Sequence, residues 1–190
     1  MTLGAVVAAA AVAIPAFAGH STQADGNDTR GKLDARSVAF DHDASPLRWR
    51  IVTFGGWTVR EIWDKGYVVV QLDTRGDERV DHLAVVRSDG RKLVGTLYRV
   101  RRDGTQRAIA TLPAGKSGPG GVSISVPFHR LTIGAGRLSY SWSVVTSFTA
   151  AACPRTCLDL VPDDGMIEQP LPGVTPTPTP SPTPSPTPTP

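Results

Sequence analysis

Between Val38 and Thr149 the chain is built from short apolar runs broken by turn signals, a rhythm that points to an all-β fold. Leu47, Trp49 and Ile51 alternate with Arg48, Arg50 and Val52, which predicts a strand with one polar face. Tyr67 to Leu72 (YVVVQL) is almost continuously apolar, as expected of a strand covered on both faces. Val80–Arg87, Leu93–Val100 and Gln106–Leu112 follow, with Ser88-Asp89-Gly90 and Arg102-Asp103-Gly104 as the turns between them. Past the loop PAGKSGPGG, Val122–Val126 and Leu138–Phe148 alternate again. Strands at this spacing predict one antiparallel β-sandwich of jelly-roll-like character over residues 37–172.

One segment breaks the rhythm. Thr58-Val59-Arg60-Glu61 has the form of a capping box, in which Thr58 and Glu61 satisfy two orphan amides. Val59, Ile62 and Trp63 then share one helical face, and Gly66 is placed to end the turn. The reading is a short helix near 58–64 that plugs one end of the sandwich; a strand is the alternative.

The two ends have a different character. Residues 1–18 carry no charge and finish in Ala16-Phe17-Ala18, the small-x-small pattern of a signal-peptidase site, so they read as a signal peptide. The run is short for a membrane-spanning helix, which leaves the mature chain without a span. Met1-Thr2-Leu3-Gly4 has no Lys or Arg, and the simplest expectation is a true start further upstream. Residues 19–36 are polar and without period, which reads as a disordered leader. Residues 173–190 are a Pro/Thr/Ser-rich tail without charge, expected to be disordered in the sense of an extended polyproline II linker or stalk. Either the tail is a stalk in its own right, or it leads to a following module beyond Pro190.

A net charge of +3 is too mild to argue for nucleic acid, and Arg99-Val100-Arg101-Arg102 reads as edge-strand charge that blocks sheet-to-sheet pairing. The two cysteines, Cys153 and Cys157, are expected to form a disulfide in an exported protein. So short a loop gains only about 2 kcal/mol and pins local structure.

Asp73, Asp77 and Asp81 lie at positions 1, 5 and 9 of one loop, a spacing that offers oxygen ligands to calcium. Against this, Arg75 and Arg79 put positive charge where the ion would sit, and a β-hairpin with Asp-capped amides and Gly76 at positive φ explains the same residues. Arg75-Gly76-Asp77 is the tripeptide of integrin ligands, too short to signify. Ala110–Ser117 fits a relaxed phosphate-loop pattern, but Gly118-Pro119-Gly120-Gly121 cannot form the helix that pattern needs, so no nucleotide is expected. Asn27-Asp28-Thr29 is a glycosylation sequon. His82 beside Asp81 could be oriented as a base, but adjacent residues of a strand point to opposite faces. No nucleophile elbow or zinc-helix motif occurs, so no catalytic residue is assigned. Among the aromatics, Trp57, Tyr140 and Trp142 are candidate ligand-binding residues, as stacking platforms for sugar rings; the alternative is that they fill the core.

The run from Trp57 to Asp77, with Ser141-Trp142, the Cys153/Cys157 loop and Asp159–Asp163, resembles a secreted actinobacterial β-sandwich domain of unknown function over about residues 37–170. A strand ending in Asp73-x-x-Gly76-Asp77 and continuing to Val80-Asp81 is more distantly similar to carbohydrate-binding and cytochrome (DOMON-type) sandwiches, without their Met/His haem ligands. The resemblance implies a fold and no activity. The resulting expectation is a secreted or cell-envelope-associated, non-catalytic binding module with an envelope polysaccharide as partner. The alternatives are a structural envelope protein without a small ligand, and a hydrolase with an unrecognised site.

Overall fold

The computed structural model of the chain describes residues 20–42, 45–150 and 153–171. The signal peptide expected over 1–18 and the tail expected over 173–190 lie outside these residues. The described chain runs through β1 (His20–Ala24), β2 (Ala35–Asp41), β3 (Leu47–Thr53), β4 (Gly66–Asp73), β5 (His82–Ser88) and β6 (Leu93–Val100). It continues through β7 (Gln106–Leu112), β8 (Ala114–Lys116), β9 (Gly121–Val126), β10 (Ser139–Ala150), β11 (Cys153–Val161) and β12 (Ile167–Pro170). A single turn of 3-10 helix, Phe128–Arg130, joins β9 to β10.

Two antiparallel sheets pack face to face, as the alternating sequence requires. One is five-stranded, in the order β1-β2-β3-β9-β8; the other is seven-stranded, in the order β11-β10-β4-β5-β6-β7, with β12 also on β10. The twelve-residue β10 is shared lengthwise: Ser139–Trp142 pair with β12, and Val144–Ala150 with β11. Between the sheets lies one apolar core. Leu47, Trp49 and Ile51 of β3 point inward, while Arg48 and Arg50 stay exposed. Phe40 sits 4.7 Å from Trp49 and 5.4 Å from Trp142, ring centre to ring centre, and ties the two sheets together.

Three sequence expectations change. Strand β4 is not covered on both faces: Val68, Val70 and Leu72 are buried, but Tyr67 is exposed and Val69 half-exposed, because no further layer among the described residues covers the seven-stranded sheet. The leader is not structureless from His20 onward, since β1 pairs in full register with β2, from His20–Asp41 to Ala24–Ser37. Its alternation is too polar to register as a strand.

The segment 58–64 forms neither helix nor strand. The capping box does close: the Thr58 amide donates to Glu61 Oε2 (2.7 Å) and the Glu61 amide to Thr58 Oγ1 (3.3 Å). Bonds from Glu61 to Thr58, Trp63 to Arg60 and Lys65 to Ile62 are of the three-residue turn type, and a single four-residue bond, Gly66 to Ile62, closes the segment. Asp64, at φ 54°, turns the chain out of helical geometry before a second turn can form. The Cys153–Cys157 disulfide is formed at the start of β11.

Candidate functional site

The three aromatics expected to stack on sugars are not available to a ligand. Tyr140 and Trp142 share a face of β10, as their spacing requires, but it is the inner face, and both are 0% exposed. Tyr140 stacks on His42, and burial drives its phenol well above the ordinary tyrosine range. Trp57 is sealed at its edge: its indole Nε1 donates to Thr53 Oγ1 (3.2 Å), and the Lys116 ammonium lies 3.3 Å from its ring centre. Lys116 donates to the carbonyls of Trp57 and Pro119.

Three other aromatics stand open to solvent, Trp63 at 49%, Tyr67 at 39% and Phe54 at 39% exposure. Trp63 and Tyr67 share a corner of the seven-stranded sheet. Tyr67 is the cross-strand partner of Arg87, and three residues later Gly90 lies under the Trp63 indole. At φ +87°, and with a Cβ there brought to 3.1 Å from Trp63 Cδ2, that position favours glycine. The pair does not stand out in the sequence, because the spacing of Val59, Ile62 and Trp63 points to one face of a helix that does not form, and Tyr67 opens a strand that reads as covered on both sides.

The loop from β4 to β5 brings Asp73, Asp77 and Asp81 together, with one oxygen from each within 4.8 Å of the others. Its negative charge is offset from within the chain. Asp73 accepts amides from Arg75 (3.0 Å) and Gly76 (2.6 Å) on Oδ1 and from Glu78 (2.9 Å) on Oδ2. Asp81 accepts the amides of Thr74 and Arg75 on Oδ2, and its Oδ1 is ion-paired with the Arg75 guanidinium. Burial pushes the Asp81 carboxyl up, but Arg75 and Thr74 outweigh it and hold it below the usual range. Arg75 is therefore turned inward, and Gly76, at φ +70°, is roofed by the Arg137 guanidinium.

Asp81 and His82 do share a cleft, with Arg75, Arg99 and Thr132. Asp81 precedes β5 and so escapes strand alternation. Both side chains approach the buried Thr74 hydroxyl, Asp81 Oδ2 at 3.0 Å and His82 Nδ1 at 3.5 Å. Burial lowers His82 to about 4, so its ring is neutral at pH 7. Thr74 is fully buried, which withholds its hydroxyl from any substrate.

A second acidic group, which sequence reasoning did not single out, joins the β1–β2 loop to β11: Asp28, Asp34 and Asp159 also place three oxygens within 4.8 Å. Asp34 and Asp159 are each 3% exposed, and neither of the ion pairs found among the described residues involves them.

No helix among the described residues is long and apolar enough to cross a membrane. No protein-family model matches the chain, and no curated protein or solved structure is found to be similar to it.

Proposed function

We propose that the chain is an exported, envelope-associated, non-catalytic binding module, and that its ligand is a glycan held at the Trp63/Tyr67 corner. The observation that carries this reading is the exposure of two large aromatics at one corner of a sheet, beside Arg87. Aromatic faces stack on the apolar faces of pyranose rings, and a guanidinium supplies directed donors to hydroxyls or carboxylates. The apolar start of the chain and the Cys153–Cys157 disulfide support export to an oxidising compartment.

Retention of the full chain on a panel of immobilised envelope polysaccharides, neutral and acidic, tests the reading. Wild type is retained on at least one polymer, with a shift in tryptophan fluorescence, and Trp63→Ala with Tyr67→Ala abolishes retention while the melting temperature holds. Failure to bind any polymer, or retention indifferent to both substitutions, overturns it.

A second reading, a structural envelope protein without a small ligand, draws on Leu158 and Leu160. They are 56% and 44% exposed on the same sheet as Val69 and Val85. Self-association that is lost in a Leu158→Ser, Leu160→Ser variant favours it.

A further inference from the structure

The Asp28/Asp34/Asp159 cluster differs from the Asp73 loop in the one respect that matters for a cation. In the Asp73 loop the Arg75 guanidinium is already ion-paired with Asp81. Around Asp34 the neighbouring charges that act most are carboxylates: Asp28 on Asp34; Asp25, Asp34 and Asp28 on Asp159; Asp163, Asp28 and Asp34 on Asp25. Asp159 Oδ2 accepts the Ala35 amide at 2.6 Å. The Thr29 amide acts on the Asp34 carboxyl and the Gly26 amide on that of Asp25, but Asp34 is 3% exposed and its Oδ1 is itself buried with no hydrogen-bond partner, as is Asp25 Oδ2. A buried carboxylate oxygen without donor or counter-charge is strongly disfavoured unless something absent from the chain supplies the positive charge.

We propose that Asp28, Asp34 and Asp159 form a calcium site that clamps the β1–β2 loop onto strand β11. The donor set favours calcium. One oxygen from each of the three carboxylates lies within 4.8 Å of the others, close enough for all three to bind one ion. An all-oxygen set completed by water suits calcium, which accepts irregular geometry, better than magnesium, which holds to a strict octahedron. Asp28 is exposed, so the ion enters from the loop side, where water completes the six to eight oxygens that calcium takes. The elements joined are distant in sequence, so the ion ties the edge strand of the five-stranded sheet, through its loop, to the edge strand of the seven-stranded one.

The test is calorimetry and thermal unfolding of the full chain, stripped with EDTA and titrated with calcium chloride. One site with a dissociation constant of about 10⁻⁴–10⁻³ M, the range of extracellular modules, is expected. A saturating excess raises the melting temperature by about 5 °C, and magnesium at the same concentration raises it by less than half as much. Asp34→Asn and Asp159→Asn each weaken binding by at least about tenfold and, by removing unpaired negative charge, melt higher than wild type in EDTA. Asp28→Asn, at an exposed position, gives the same loss of affinity should either buried variant fail to fold. Asp77→Asn binds calcium as wild type does. No heat and no shift at about 10 mM calcium, ten times the weakest affinity expected, overturns the proposal. So does binding that survives Asp28→Asn, or binding abolished by Asp77→Asn.

Discussion

The guanidinium of Arg75 is ion-paired with the buried carboxylate of Asp81, its Nε 2.6 Å from Oδ1. The pair closes the β4–β5 loop, with Thr74 and Arg75 donating both of their amides to the same carboxylate. Arg75→Ala leaves that carboxylate buried without its counter-charge. The side chain of Arg75 is 36% exposed, so water takes over part of its role, and the expected loss is about 2 kcal/mol, not the larger figure for a fully buried pair. The urea midpoint of the variant measures it, and an unchanged midpoint means that the pair contributes nothing.

His82 gives the fold a dependence on pH. Its imidazole titrates near 6.5 when unfolded and is lowered by burial to about 4 in the fold. Between these values the unfolded chain binds more protons. The contribution is therefore fully present above pH 6.5 and is lost as pH falls towards 4, about 3 kcal/mol in all. Asp81 does not contribute in this window, because its carboxyl is held below the ordinary value. Asp159, raised by burial to about 7, acts in the opposite direction, since the fold binds its proton more readily than the unfolded chain does. The His82 share is therefore read as a difference: the change in urea midpoint from pH 7.0 to 4.5 should be more unfavourable for wild type than for His82→Asn, and parallel changes would refute the assignment.

Trp142 and Trp63 should respond in opposite ways to truncation. Trp142 is fully buried against Phe40 and Trp49, so Trp142→Ala is expected to cost about 4 kcal/mol. Trp63 is half exposed, and Trp63→Ala should move the melting temperature by no more than about 3 °C. Differential scanning calorimetry of the two variants separates them, and a large loss in Trp63→Ala would return that residue to the core.

The Cys153–Cys157 disulfide encloses so few residues that its loss removes little unfolded-chain entropy. Reduction, or Cys153→Ser with Cys157→Ser, should destabilise by about 2 kcal/mol and leave the far-ultraviolet spectrum unchanged. Loss of the β spectrum on reduction would show that the bridge holds more than the start of β11.

Most strand positions were legible because period-2 alternation is local: β3, β6, β7 and β9 fall within a residue of where their side chains place them. Strand β1 escaped notice because its sequence, HSTQA, has no apolar face, and its pairing with β2 supplies what its side chains do not. The capping box at Thr58 and Glu61 was readable as chemistry, but the helix it announces was stopped by Asp64 at positive φ.

The candidate sites divide on the same ground. Alternation placed Tyr140 and Trp142 on one face of their strand, and the Asp73–Asp81 spacing placed three carboxylates in one loop; both follow from bonds a few residues apart. Which face turns inward, and which carboxylates lack a counter-charge, depend on contacts between segments far apart in the chain. Tyr140 and Trp142 became core because the five-stranded sheet lies across them, while Trp63 and Tyr67 remained open because no described layer covers their corner. Asp34 and Asp159, 125 positions apart, meet only when the β1–β2 loop folds onto β11, and no local pattern could have announced the charge they share. Local covalent geometry sets the period of each strand, whereas burial and charge are properties of the assembled sheets.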